Sequence, residues 1–139
     1  MSFQLNSFTL WYESLTKESL ADISKFYDGD VYFKDPFNEF RSIDKLGLIF
    51  SDMFLNLDNP QFVFIDTISD SDQIFITWDF IFKLKGKEYK IHGSSHLKVN
   101  QNQLVFYHRD YWDVGEELLL KLPLIKSLYS ILRNKLSHQ

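Results

Sequence analysis

The chain has 139 residues, of which 45% are hydrophobic and 24% charged, a composition that fits one globular domain and excludes intrinsic disorder. A net charge of −4 leaves no basic footprint for nucleic acid, and the absence of cysteine excludes a disulfide scaffold, a thiol nucleophile and any Cys-containing zinc site. The unusual figure is the 17% of aromatic residues, carried by 14 Phe, 7 Tyr and 3 Trp.

The opening MSFQLNSFTLWYESL lacks a basic region followed by an unbroken apolar core, so it does not read as a signal peptide. Leu5, Phe8, Tyr12 and Leu15 recur at spacings of 3, 4 and 3, one face of a helix. Thr16 is placed to cap a second helix that turns Leu20, Ile23 and Phe26 inward. A short strand, VYFKD (31–35), ends at Pro36. Ser42 then caps a third helix with Ile43, Leu46, Phe50, Met53 and Leu57 on one stripe, stopped by Asn59 and Pro60. From Gln61 the period changes to two, giving strands at 61–68, 73–84, 88–99 and 103–113. Their turns are Asp70-Ser71-Asp72, Lys85-Gly86-Lys87 and Asn100-Gln101-Asn102. Past Gly115 a closing helix carries Leu118, Leu122, Ile125, Tyr129, Leu132 and Leu136, with a restart at Pro123. Its apolar run is broken by Lys121, Pro123 and Lys126 and is too short to span a bilayer. A single domain over 1–139, soluble and cytoplasmic, without integral membrane contact, is the expectation. Its class is α+β, with one curved antiparallel sheet wrapped over helices on one face.

Strand parity sorts the polar residues by face. Along the last strand Leu104, Phe106, His108, Asp110 and Trp112 share the inward face, and Tyr107, Arg109 and Tyr111 the outward one. Along 88–99, Ser95 falls inward while His92 and His96 fall outward. Asp79 interrupts IFITWDFIF (74–82), a run apolar on both faces, so its carboxylate is either a structural pair or part of a polar site. Asp35 precedes Pro36 between Phe33 and Phe37, where Asp-Pro is also an ordinary turn starter.

With that order of elements, FKDPF (33–37) and HRDYWD (108–113) carry a resemblance over residues 5–136. The chain resembles the nuclear transport factor 2-like superfamily, in its SnoaL-like branch, whose known enzymatic relatives are ketosteroid isomerase and limonene epoxide hydrolase. The resemblance implies a cone, or cystatin-like roll: a strongly bent antiparallel sheet around N-terminal helices and an apolar pocket, closed by a C-terminal helix and commonly dimeric. By resemblance to ketosteroid isomerase, Asp35 matches the base that moves a proton alpha to a carbonyl. Tyr12 matches a tyrosine of the oxyanion hole, and Ser95 stands where the second oxyanion donor is an aspartate. By resemblance to the epoxide hydrolase, Asp79 and Asp110 match its two aspartates. Thr77, Phe33 and Asp35 replace the arginine, tyrosine and asparagine that complete that site, which weakens the match to epoxide opening.

Both comparisons converge on one pocket holding Asp35, Asp79, Asp110 and Tyr12 for proton transfer, with Ser95 and His108 near. The expected walls are Phe33, Phe37, Phe54, Phe106 and Trp112 around a small apolar, ring-containing or carbonyl-bearing ligand. On the outward face Trp78, Phe80, Phe82, His92, His96, Tyr107, Arg109 and Tyr111 are expected to form a homodimer interface. His92 and His96 lack a third ligand, so no metal is expected, and no cofactor either. The basic closing segment is expected to cover the pocket or the dimer edge. Three functions stay open: an isomerase, dehydratase or lyase, a non-catalytic carrier or sensor, and a structural dimerisation module.

Overall fold

Phe8, Trp11 and Tyr12 recur at helical spacing, and α1 (Leu5–Glu13) buries all three. The computed structural model describes residues 3–119, and the stripe from Leu122 to Leu136 expected for the closing helix lies outside them. Thr16 and Ser19 exchange hydrogen bonds, each side-chain oxygen accepting the other's backbone N–H at 3.0 and 2.8 Å. This reciprocal pair closes the turn before a 3-10 helix (Ser19–Lys25), whose N-cap position is Glu18, where the sequence predicts an α-helix capped by Thr16. Its inward residues Leu20, Ile23 and Phe26 are spaced by three, the period at which 3-10 side chains eclipse.

Strand β1 (Tyr27–Lys34) begins four residues earlier than VYFKD suggests, and a short β2 (Glu39–Arg41) pairs with it. Helix α2 (Ile43–Asn56) starts as expected, with Ser42 Oγ accepting the Lys45 N–H at 3.2 Å. It buries Leu46 and Phe50. The remaining strands are β3 (Asp58–Asp70), β4 (Gln73–Leu84), β5 (Lys87–Val99) and β6 (Val105–Tyr111). Pro60 sits inside β3, which is tolerated because β3 lies at the sheet edge. Lys85 and Gly86, at φ 53° and 78°, join β4 to β5 in a two-residue turn whose twist suits a hairpin.

The six strands run in the order β2-β1-β6-β5-β4-β3. All neighbours are antiparallel except β1 and β6, which pair in parallel and bring the first strand beside the last. Helix α1 packs on β3, and α2 on β1 and β3, so the helices sit inside the curl of an unclosed sheet. This is the α+β cone expected from the sequence. Past β6 a π-helical turn (Gly115–Leu119) is held to β5 by Glu117 Oε1, which accepts the His92 N–H at 2.7 Å.

Two parities differ from the sequence reading. In β4 it is Ile74, Ile76, Trp78, Phe80 and Phe82 that face the helices, while Asp79 lies on the outer surface opposite His92. Every even position of that strand from 74 to 82 is apolar, whereas Thr77, Asp79 and Lys83 alternate with them, so the one-residue offset reverses the whole strand. In β6 the pairing steps from Lys98–Tyr107 to Val99–Val105. Phe106 is the extra residue of that bulge. It is 37% exposed while Val105 is fully buried, so Phe106 forms no part of the inner wall.

Trp78 lies opposite Gly93 in β5, and its indole occupies the place of a side chain there. A Cβ on Gly93 would stand 2.6 Å from Trp78 Cη2. Gly93→Ala is expected to displace the indole and lower stability by about 1–3 kcal/mol. Urea unfolding measures this, and an unchanged midpoint would contradict the close approach.

Candidate active site

The rings on the concave side leave a cavity of about 150 Å3. Its walls are chiefly Phe33, Phe50, Phe62, Trp78, Phe80 and Trp112, with Ile49, Met53 and Ile91 between them. Tyr12, Asp35 and Asp110 bring hydroxyl and carboxylate groups into it. The volume matches a cavity that holds a ligand of roughly benzene size.

Asp35 reaches this wall because its own side chain makes the turn after β1. Its Oδ1 accepts the Phe37 and Asn38 N–H groups at 2.8 and 2.7 Å, and Asn38 Nδ2 at 3.1 Å. The turn reading and the site reading are therefore both features of one residue. Burial raises the Asp35 pKa above the ordinary carboxylate value. The two backbone donors oppose that shift, and the nearby Asp110 charge adds to it.

Asp110 is held differently. Its Oδ1 accepts Ser95 Oγ–H at 2.5 Å and His108 Nε2–H at 2.6 Å. Ser95 Oγ in turn accepts Trp78 Nε1–H at 2.8 Å. With its proton on Nε2, His108 accepts the Tyr27 hydroxyl at Nδ1, 2.9 Å away. Burial raises both the Tyr12 and Tyr27 pKa well above the ordinary value, so both phenols stay protonated. A smaller void of about 10 Å3, bounded by Tyr12, Ser95, His108 and Asp110, separates this chain from α1.

Of the expected site residues, Tyr12, Asp35, Asp110, Phe33 and Trp112 border the cavity. Ser95 and His108 are buried behind it, and the Ser95 hydroxyl is committed to Asp110, so it offers a ligand no donor. Phe37 is exposed and packs edge-on against Trp112 at 5.6 Å rather than lining the cavity. Phe54 borders an outer groove with Leu15, Leu57 and Pro60, because α2 turns Ile49, Phe50 and Met53 to the cavity. Asp79 is absent from the site. On the outer face its Oδ1 pairs with His92 Nδ1 at 2.8 Å, and its Oδ2 with Lys90 Nζ at 3.6 Å.

Of the residues expected outside, His92, His96, Tyr107, Arg109 and Tyr111 do share the outer surface. Trp78, Phe80 and Phe82 do not, since they belong to the inner core. His92 is occupied by Asp79, and His96 Nε2 by Gln73 Oε1 at 2.8 Å. Among the described residues no group of three or more His, Asp or Glu side chains is arranged to hold a metal ion. No helix among them is long and apolar enough to cross a membrane. The residues that sequence reading missed are Tyr27, Ile49, Phe50, Met53, Phe62, Ile91, Trp78 and Phe80. The unbroken apolar run at even positions of β4 was the signal for the last two.

A bent sheet curled over helices is the cone fold of ketosteroid isomerase-like and nuclear transport factor 2-like proteins. The chain belongs to the SnoaL-like domain family, whose model matches residues 8–108. Solved structures agree on the fold. An epoxide hydrolase of M. tuberculosis, related to limonene epoxide hydrolase, superposes with a TM-score of 0.69 at 12% identity, over 93% of this chain and 94% of that one. A ketosteroid isomerase-like protein from Catenulispora acidiphila, crystallised with trimethylamine, gives a TM-score of 0.69 at 10% identity, over 85% and 92%. A SnoaL-like protein from Agrobacterium tumefaciens, described as a putative isomerase, gives 0.64 at 10% identity, over 78% and 93%. No curated protein matches the sequence.

Ser95→Ala removes the acceptor of Trp78 Nε1 and one of the two donors to Asp110. It is expected to cost about 1–3 kcal/mol, since a buried N–H is left unpaired. A thermal unfolding midpoint equal to that of the parent would show that the bonds carry no net stability.

Proposed function

We propose that this chain binds a small, mainly apolar molecule in the cone cavity and that Asp35 exchanges a proton with it. The observation that carries this reading is the Asp35 carboxyl on the wall of an aromatic cavity, its proton affinity raised by burial. A carboxylate so placed is a better base than one in water and, once protonated, can return the proton as an acid. The small organic molecules held by relatives support a ligand in this hollow, trimethylamine in one and polyporic acid in another. Oxyanion stabilisation of the ketosteroid isomerase kind has less support, because the Ser95 hydroxyl is spent on Asp110. The second reading is a carrier or sensor that uses the same cavity without chemistry.

Native mass spectrometry of the purified chain, followed by Asp35→Asn, separates the two. Retained ligand with lost turnover supports Asp35 as the base, and turnover unaffected by the substitution rules it out. The pH profile gives a sharper sign. Because the Asp35 pKa is raised, the acid limb of activity is expected above the ~3.9 of a free aspartate. Asp110→Asn removes a negative neighbour, lowers the Asp35 pKa and moves that limb to lower pH. A limb that stays put or moves up contradicts the coupling.

We also propose that the outer sheet face pairs with a second copy of the chain. Val63, Ile65, Ile68, Phe75 and Tyr111 are exposed there at 36–68%. Lys98 and Arg109 alternate on that face with Asp79, giving a two-fold partner both signs to meet. Phe75→Asp is expected to shift sedimentation from dimer to monomer. A parent chain that already sediments as a monomer would refute the interface.

A further inference from the structure

The cavity is rich in hydrogen-bond acceptors and poor in donors. Asp35 and Asp110 both border it, and among the described residues no Lys, Arg or His side chain does. Asp110 Oδ2 accepts no hydrogen bond among the described residues, since Ser95 and His108 both bond Oδ1. Asp35 Oδ2 has only Asn38 Nδ2, at 3.3 Å. Of the donors that border the cavity, Trp78 Nε1 is committed to Ser95. The Tyr12 hydroxyl and the Trp112 indole N–H are the others among the described residues. A neutral carbonyl ligand would bring another acceptor to two carboxylates. A ligand with positive charge or N–H groups instead supplies what the walls lack.

The rings point the same way. Phe33, Phe50, Phe62, Trp78, Phe80 and Trp112 line the same cavity as the two carboxylates, and aromatic rings attract a cation over their faces once water is displaced. We propose that the ligand of this cavity is a small organic cation, an alkylated amine or ammonium, held between the aromatic walls and the Asp35 and Asp110 carboxylates. This inference rests on the cavity being the ligand site. A bound cation would neutralise the charge the fold leaves on those carboxylates. It would also stabilise the ionised form of Asp35, so that binding releases a proton where Asp35 was protonated.

The test uses a matched pair on the full chain: choline, and 3,3-dimethylbutan-1-ol, which has the same shape without the charge. Trp78 and Trp112 border the cavity, so tryptophan fluorescence reports occupancy and calorimetry gives the affinity. At neutral pH choline is expected to bind at least about tenfold more tightly than the alcohol. Its affinity is expected to fall on acidification as Asp35 takes up its proton, while that of the alcohol does not. Asp35→Asn should weaken choline several-fold and spare the alcohol. Asp79→Asn, on the outer face, should change neither. Equal affinity for the pair overturns the cation inference and leaves the cavity reading intact. Failure of both to bind in the millimolar range overturns both.

Discussion

A file of hydrogen bonds crosses the strands at the floor of the cone, and the rest of the site depends on it. It runs from Trp78 on β4 to Ser95 on β5, then to Asp110 and His108 on β6, and ends at Tyr27 on β1. Each of these groups is buried or nearly so, and each would be costly without its neighbour. No buried side-chain nitrogen or oxygen among the described residues lacks a partner. The file ties four strands together by side chains as well as by their backbones. It also fixes Asp110 through one oxygen and turns its other oxygen away from the file. Gly93 is part of the same arrangement, because only a missing Cβ lets the Trp78 indole lie flat enough to reach Ser95.

Three aspartates show how the face of a strand decides the role of a side chain. Asp79 is shared between His92 and Lys90 on the outer surface and acts as a cross-strand ion pair, worth little in solvent. Asp110, on the opposite face of the sheet, meets a hydroxyl and an imidazole in a dry layer. Asp35 answers to the turn that its own oxygen builds and to the burial of its neighbours.

Much of the fold was legible because its signals are local. The Ser42 cap, the stripe on α2, the switch to a period of two and the Lys85-Gly86 turn each depend on a few adjacent residues. The order of these elements, with FKDPF and HRDYWD, was enough to place the chain in its family. The site was legible only in part. Asp35, Asp110 and Tyr12 were placed at the cavity, but Asp79 was put inside by its match to an epoxide hydrolase aspartate, in a run apolar on both faces. A one-residue shift costs nothing in a pattern and reverses every side chain in a strand. Phe106 failed for a related reason, since a bulge leaves no mark in hydrophobicity alone. The hydrogen bonds of Ser95 were beyond sequence reading, because they join residues 15 and 17 positions apart whose meeting depends on three strands in register.

The parallel pairing of β1 with β6 has a consequence for how the chain is made. Phe33 and Lys34 of β1 meet His108 and Arg109 of β6. As the polypeptide leaves the ribosome N-terminus first, β1 waits for about half the length of the protein before β6, its second neighbour, exists. Until then the ring-lined hollow of β3, β4 and β5 has no β6 to complete it, and both its apolar floor and the edge of β5 lie open. Completion of the domain is thus deferred to one late, long-range closure, slow by its topology. A nascent chain stalled before Val105 would be a natural client for a chaperone that shields apolar strands.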